Sequence, residues 1–316
     1  MGLAWVARRP SGAIMDFLMR KLTFALATIL ISVATLTEAA AAPDTVLANV
    51  AVGSQYDSTH VYVAPDQLDR FVASVIATFG GRSSKPMVVT VTPTSSSTIS
   101  RIIFTPVGFL SVFGFKTPIP YPFGEERTGY LVTDMDAAIA AARRAGAEVV
   151  VSPFPDAIGR DAVIRWPGGV NMQLYWHTTA PSYAPLETVP ENRVYVSSDE
   201  ADAFVHDFVM FSGGRVVADD PKAPGVEIGR PGDTYRRVRM ESAFGKVTVL
   251  VTDGHLPWPY GRELTGYEVS NLAETLAKAK AAGVDVLAGP YSANDRSAAM
   301  VQFPGGYIAE IHGRLR

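Results

Sequence analysis

The sequence predicts an α+β protein built from two tandem copies of one domain, each copy a pair of βαβββ units. Three observations predict this. Tyr121-Pro-Phe-Gly124, Thr128-Gly-Tyr130 and Pro167-Gly-Gly169 return 137 residues later as Trp258-Pro-Tyr-Gly261, Thr265-Gly-Tyr267 and Pro304-Gly-Gly306. His60-Val-Tyr-Val63 and Gly80-Gly-Arg82 return 133 residues later as Arg193-Val-Tyr-Val196 and Gly213-Gly-Arg215. Within each copy, the hydrophobic pattern runs strand, helix, three strands, and then runs through that order again.

The elements follow in order. Residues 1–42 form a leader: Met19-Arg20-Lys21 is basic, Leu22–Leu36 is apolar, and Ala39–Ala42 offers a small-residue cleavage site. That is the pattern of a secretory signal peptide with Met19 as the better start, and the apolar run is shorter than the ~20 residues a spanning helix needs. The expected product is periplasmic or secreted, with no membrane attachment once the leader is cleaved. Residues 43–55 are an N-terminal tail. The first domain covers 56–177, a linker with Pro181, Pro185 and Pro190 covers 178–190, and the second domain covers 191–316.

In the first domain, His60–Val63 is a strand. Leu68, Phe71, Val72, Val75, Ile76 and Phe79 keep helical spacing until Gly80-Gly81 stops it. Met87–Thr92, Ile99–Phe104 and Phe109–Phe115 read as strands. Tyr130–Val132 opens the second unit, Asp134 caps a helix that runs to Ala145, and Gly146 ends it. Glu148–Val151, Ala162–Arg165 and Met172–Trp176 complete the set.

Composition excludes several classes. The 316 residues carry 28 basic and 31 acidic side chains, a formal net charge of −3, which gives no electrostatic case for a nucleic-acid partner. Cysteine is absent, so disulfides, thiolate-bound metals and a cysteine nucleophile are excluded.

The unit order, with Thr128–Trp176 and Thr265–Ile311 carrying it most clearly, resembles the vicinal oxygen chelate superfamily: glyoxalase I, bleomycin-resistance proteins, fosfomycin-resistance enzymes and extradiol dioxygenases. The resemblance implies that two βαβββ units close into a cupped, incomplete barrel with a ligand in the cup. It does not choose a reaction, because that fold serves lyases, isomerases, transferases, dioxygenases and proteins that only bind. Its enzymes hold a divalent metal with His or Glu from the first, fourth, fifth and eighth strands. Carried over here, the eighth-strand positions are Gln173 and Glu310, the fifth Arg127 and Leu264, and the fourth Ser111 and Thr248. The first-strand positions are His60 or Ser58 and Arg193 or Glu191.

An arginine stays cationic and a leucine has no donor atom, whereas catalytic zinc needs about three protein ligands. The expectation is therefore a cup without a metal cofactor. The alternative is a divalent zinc, iron or manganese ion held by a non-standard set drawn from His60, Glu310 and His312. The partner expected for either cup is a small oxygenated organic molecule. His60 and Glu310 are the candidates for proton transfer. Tyr62, Arg127, Gln173 and Tyr175 are candidate ligand-binding residues in the first cup, and Arg193 and Arg237 in the second. Two readings of Tyr235–Met240 stay open: a cationic lining, or a solvated face of salt bridges. The functional readings left are a binding module, a metal-free enzyme, and a metal-dependent lyase, isomerase or dioxygenase.

Overall fold

The computed structural model describes Val50, residues 55–124 and residues 128–315. All of these fall in one compact unit spanning Leu47–Arg316. The leader and Arg127 lie outside the described residues.

The first copy contains β1 (Thr59–Tyr62), α1 (Leu68–Phe79), β2 (Arg82–Ser83), β3 (Met87–Val89), β4 (Thr98–Thr105) and β5 (Gly108–Phe115). Its second unit contains β6 (Gly129–Leu131), α2 (Met135–Arg144), β7 (Glu148–Pro155), β8 (Gly159–Arg165) and β9 (Asn171–His177). The second copy repeats the plan with β10 (Glu191–Val196), α3 (Ala201–Ser212), β11 (Arg215–Pro224), β12 (Thr234–Ser242) and β13 (Gly245–Val251). Then follow β14 (Leu264–Glu268), α4 (Leu272–Ala281), β15 (Asp285–Ala293), β16 (Arg296–Gln302) and β17 (Ile308–Arg314).

The second copy closes into one eight-stranded sheet in the order β11-β12-β13-β10-β14-β17-β16-β15, with β10 antiparallel to β14 at its centre. In the first copy the matching halves are β1-β5-β4-β2 and β6-β9-β8-β7, and a Thr59–Thr128 bridge joins them. Both sheets curl into half-barrels, the cupped α+β architecture expected from the unit order.

Local chemistry accounts for the helices. α1 buries Leu68, Phe71, Val72 and Val75 on one face and stops where Gly80 takes φ 81°. The Asp134 carboxylate accepts the Ala137 N–H at the start of α2, and the Asn271 side chain accepts the Glu274 N–H at the start of α4. The strands differ from expectation at their ends. The third strand of the first unit stops at Val89, and Arg82–Ser83 adds a short strand by pairing with Phe104 and Ile103. β8 starts at Gly159, three residues earlier than the apolar run signals, because Gly159–Asp161 pair with Tyr175–His177.

The cores do not follow the sequence repeat. α1 and its strands pack against the last unit, with Phe71 edge-on to Phe303 and Tyr307 and Phe79 5.0 Å from Tyr267. The second unit packs against the third, with Tyr130 on Phe244 and Trp166 on Phe208 and Phe211. The Pro-Gly-Gly turns serve these contacts. A Cβ on Gly168 would stand 2.6 Å from Val196, and one on Gly305 would stand 2.9 Å from Val63.

Candidate functional site

Strand register places the predicted positions. His60 lies opposite Ser111 on β5, as Arg193 lies opposite Thr248 on β13. Arg193 also pairs with Leu264 and, through Gly266, shares its face with Glu310. The Thr-Gly-Tyr glycines have a function here. A Cβ on Gly129 would stand 2.8 Å from His60 Nε2, and one on Gly266 would stand 3.2 Å from Arg193 Cδ. Each glycine makes room for the large first-strand side chain of its own cup.

The first cup encloses a cavity of about 170 Å³. His60 is 2% exposed at its floor, edge-on to Phe113, and its Nε2 stands 3.8 Å from Asp57 Oδ1. Ser111 donates its hydroxyl to Asp57 Oδ2 at 2.5 Å. Asp161, on β8, is 6% exposed and accepts a hydrogen bond from Gln173. Burial and the nearby Asp156 charge push the Asp161 carboxyl up to about 8, although His60 and Gln173 partly offset them. Burial also raises Asp57, against the opposing pull of His60 and Ser111.

Of the predicted ligand-binding residues, Tyr62 stacks on Phe115 and lies tilted against Phe113, and Gln173 lines the cavity. Tyr175 presents only its ring. Its hydroxyl donates to the Asp57 main-chain oxygen and accepts the Asp57 N–H, fixing the segment before β1. Sequence reasoning missed Asp57 and Asp161. Asp161 is directly opposite Tyr175, so an earlier start for β8 would have put it on the inward face.

The second cup is filled by its own charges. Arg193, also 2% exposed, donates to Glu191 at 2.7 Å and stands 3.2 Å from Glu310. Arg296 bridges the same two carboxylates at 3.0 and 3.5 Å, Tyr291 donates to Glu310, and His312 Nδ1 lies 3.2 Å from it. Burial pushes the Glu310 carboxyl up, but Arg193, His312 and Arg296 outweigh it and hold the group down to about 2. Arg237 is buried against Glu227, which also accepts from the Tyr235 hydroxyl. On this strand, therefore, neither open reading describes Arg237: it is neither a free cation nor solvated. A groove of about 440 Å³ remains beside these charges, over Glu191, Lys246, Thr248, Arg296 and His312.

No protein-family model matches the sequence, and no curated protein matches it. Solved structures do. A mutant of 4-hydroxymandelate synthase from Streptomyces coelicolor is 14% identical with a TM-score of 0.57, covering 83% of this chain and 92% of its own. Homoprotocatechuate 2,3-dioxygenase from Arthrobacter globiformis is 15% identical with a TM-score of 0.53, covering 85% and 82%. The Mn(II)-bound glyoxalase from Novosphingobium aromaticivorans is 13% identical with a TM-score of 0.51, covering 84% of each chain. The chain thus shares the two-domain, cupped α+β fold of these structures. At these identities the likeness is one of fold.

The second cup does not fit the divalent metal that the family resemblance implies. Two guanidinium groups already neutralise its two carboxylates, and Leu264 offers no donor atom. Among the described residues of the whole chain, no group of three or more His, Cys, Asp or Glu is placed to hold a metal.

Proposed function

We propose that the first cup binds a small organic molecule and moves a proton on it without a metal, while the second cup is a charge-filled scaffold. The observation that carries this reading is the single cavity shared by His60, Asp57 and Asp161. In it, His60 Nε2 takes a proton from the ligand, and the Asp57 carboxylate steadies the imidazolium that forms. Asp161 keeps its own proton near neutral pH, which equips it to donate to the ligand from another direction. Glu310 is ion-paired and held ionised, so it makes a poor base. Aromatic and aliphatic walls with polar side chains converging on one cavity suit a small-molecule site.

The test is a thermal-shift screen of small acids, phenols and aldehydes, with and without a chelator. A shift that survives chelation and disappears in His60→Ala is expected. About one zinc, iron or manganese per chain, with the shift lost on chelation and restored by that metal, would support the metal-dependent lyase, isomerase or dioxygenase reading instead. Export remains part of the proposal, supported by the basic, apolar and small-residue succession in residues 19–42. Intact mass of the periplasmic or secreted protein should begin close to Pro43; a membrane-bound product retaining Leu22–Leu36 would overturn it.

A further inference from the structure

We propose that the ligand of the first cup is a small organic cation, an amine or quaternary ammonium carried on a single ring. This rests on the reading of that cup as a ligand site and adds the chemical class.

Size sets the first limit. A cavity of about 170 Å³ is close to the ~150 Å³ that accommodates one benzene ring. The walls set the second: Tyr56, Tyr62, Phe113, Phe123, Tyr175 and Tyr183 line it, and ring faces attract a desolvated cation.

Charge decides between a cation and the alternatives. Asp57, Asp156 and Asp161 line the same cavity. Arg101 also borders it, but sends its guanidinium to Asp69 at 2.7 Å and to Ser83. Burial holds the His177 imidazole below its usual value, which favours its neutral form. Near neutral pH Asp161 keeps its proton and adds no charge, so even with His60 protonated one described positive charge stands against the carboxyl groups of Asp57 and Asp156. Asp57 Oδ1 is buried and has no hydrogen-bond partner among the described residues. A buried carboxylate oxygen left in that state is stabilised by an incoming cation that can donate to it. An anionic ligand would instead meet like charge in a poorly hydrated space.

The experiment is calorimetric titration of the full-length mature protein with benzylamine, benzyl alcohol and benzoate, which share a ring and differ in charge. Benzylamine should bind at least about tenfold more tightly than benzyl alcohol, roughly 1.4 kcal/mol, and benzoate most weakly. Asp57→Asn should remove most of the benzylamine preference while leaving benzyl alcohol within about threefold, whereas Asp161→Asn, neutral in both forms near neutral pH, should leave the preference within about threefold. Asp156→Asn, at a partly exposed position, should reduce the preference by a smaller factor and serves if the buried variants do not fold. Benzyl alcohol or benzoate binding as tightly as benzylamine would overturn the cation while leaving a ligand cup. If none of the three binds to protein that is folded by near-ultraviolet circular dichroism, both the cation and the ligand cup fall.

Discussion

Arg193 and His60 occupy the same register in their two copies, yet their surroundings give them opposite roles. Arg193 is the positive centre of a buried ring that includes Glu191, Glu310 and Arg296. Removing it leaves two carboxylates facing one guanidinium, so Arg193→Ala should destabilise by about 3–5 kcal/mol in urea denaturation. In the first cup Asp161 is buried without a compensating arginine among the described residues. The folded state holds the Asp161 proton more tightly than the unfolded chain, whose carboxyl lies near 3.8. Stability should therefore fall as pH climbs from about 4 through about 8, by an amount on the order of several kcal/mol once ionisation is complete. Denaturation midpoints of Asp161→Asn across that range should lose less stability than those of the wild type. If the two pH profiles are parallel, Asp161 is not the group responsible.

At the scale of elements, the repeated short motifs were legible as a repeat but their purpose was not. Helical spacing and the Asp134 cap located α1 and α2, because those signals are local. Strand ends were less legible. Gly159–Asp161 lack apolar side chains, and their strand pairing comes from β9 rather than from their own pattern. That is why Asp161 escaped notice, and Asp57 did so by lying two residues before the first strand. Nothing local marks Gly168 and Gly305 as contacts with another copy, since their neighbours Val196 and Val63 are remote in sequence. Both take positive φ, 78° and 87°. Gly168→Ala should cost upwards of about 1 kcal/mol in thermal or urea unfolding, from backbone strain and the crowding of Val196 together. An unchanged midpoint would mean that the turn and the valine relax without penalty.

For the whole molecule, the sequence repeat and the structural cores divide the chain differently. Cups are built from the first and second units and from the third and fourth, whereas cores join first to fourth and second to third. Unfolding of the full chain should then be a single calorimetric transition, and a fragment ending at residue 190 should lack fixed near-ultraviolet signals. Two separated transitions would show that each copy is stable alone. The order of synthesis gives this arrangement a further meaning. Phe71 emerges from a ribosome well before Phe303 and Tyr307, against which it packs. The opening unit must wait, incompletely folded, until the fourth unit has been made. Nascent chains stalled before residue 264 should leave it open to protease, and synthesis of the whole fourth unit should close it.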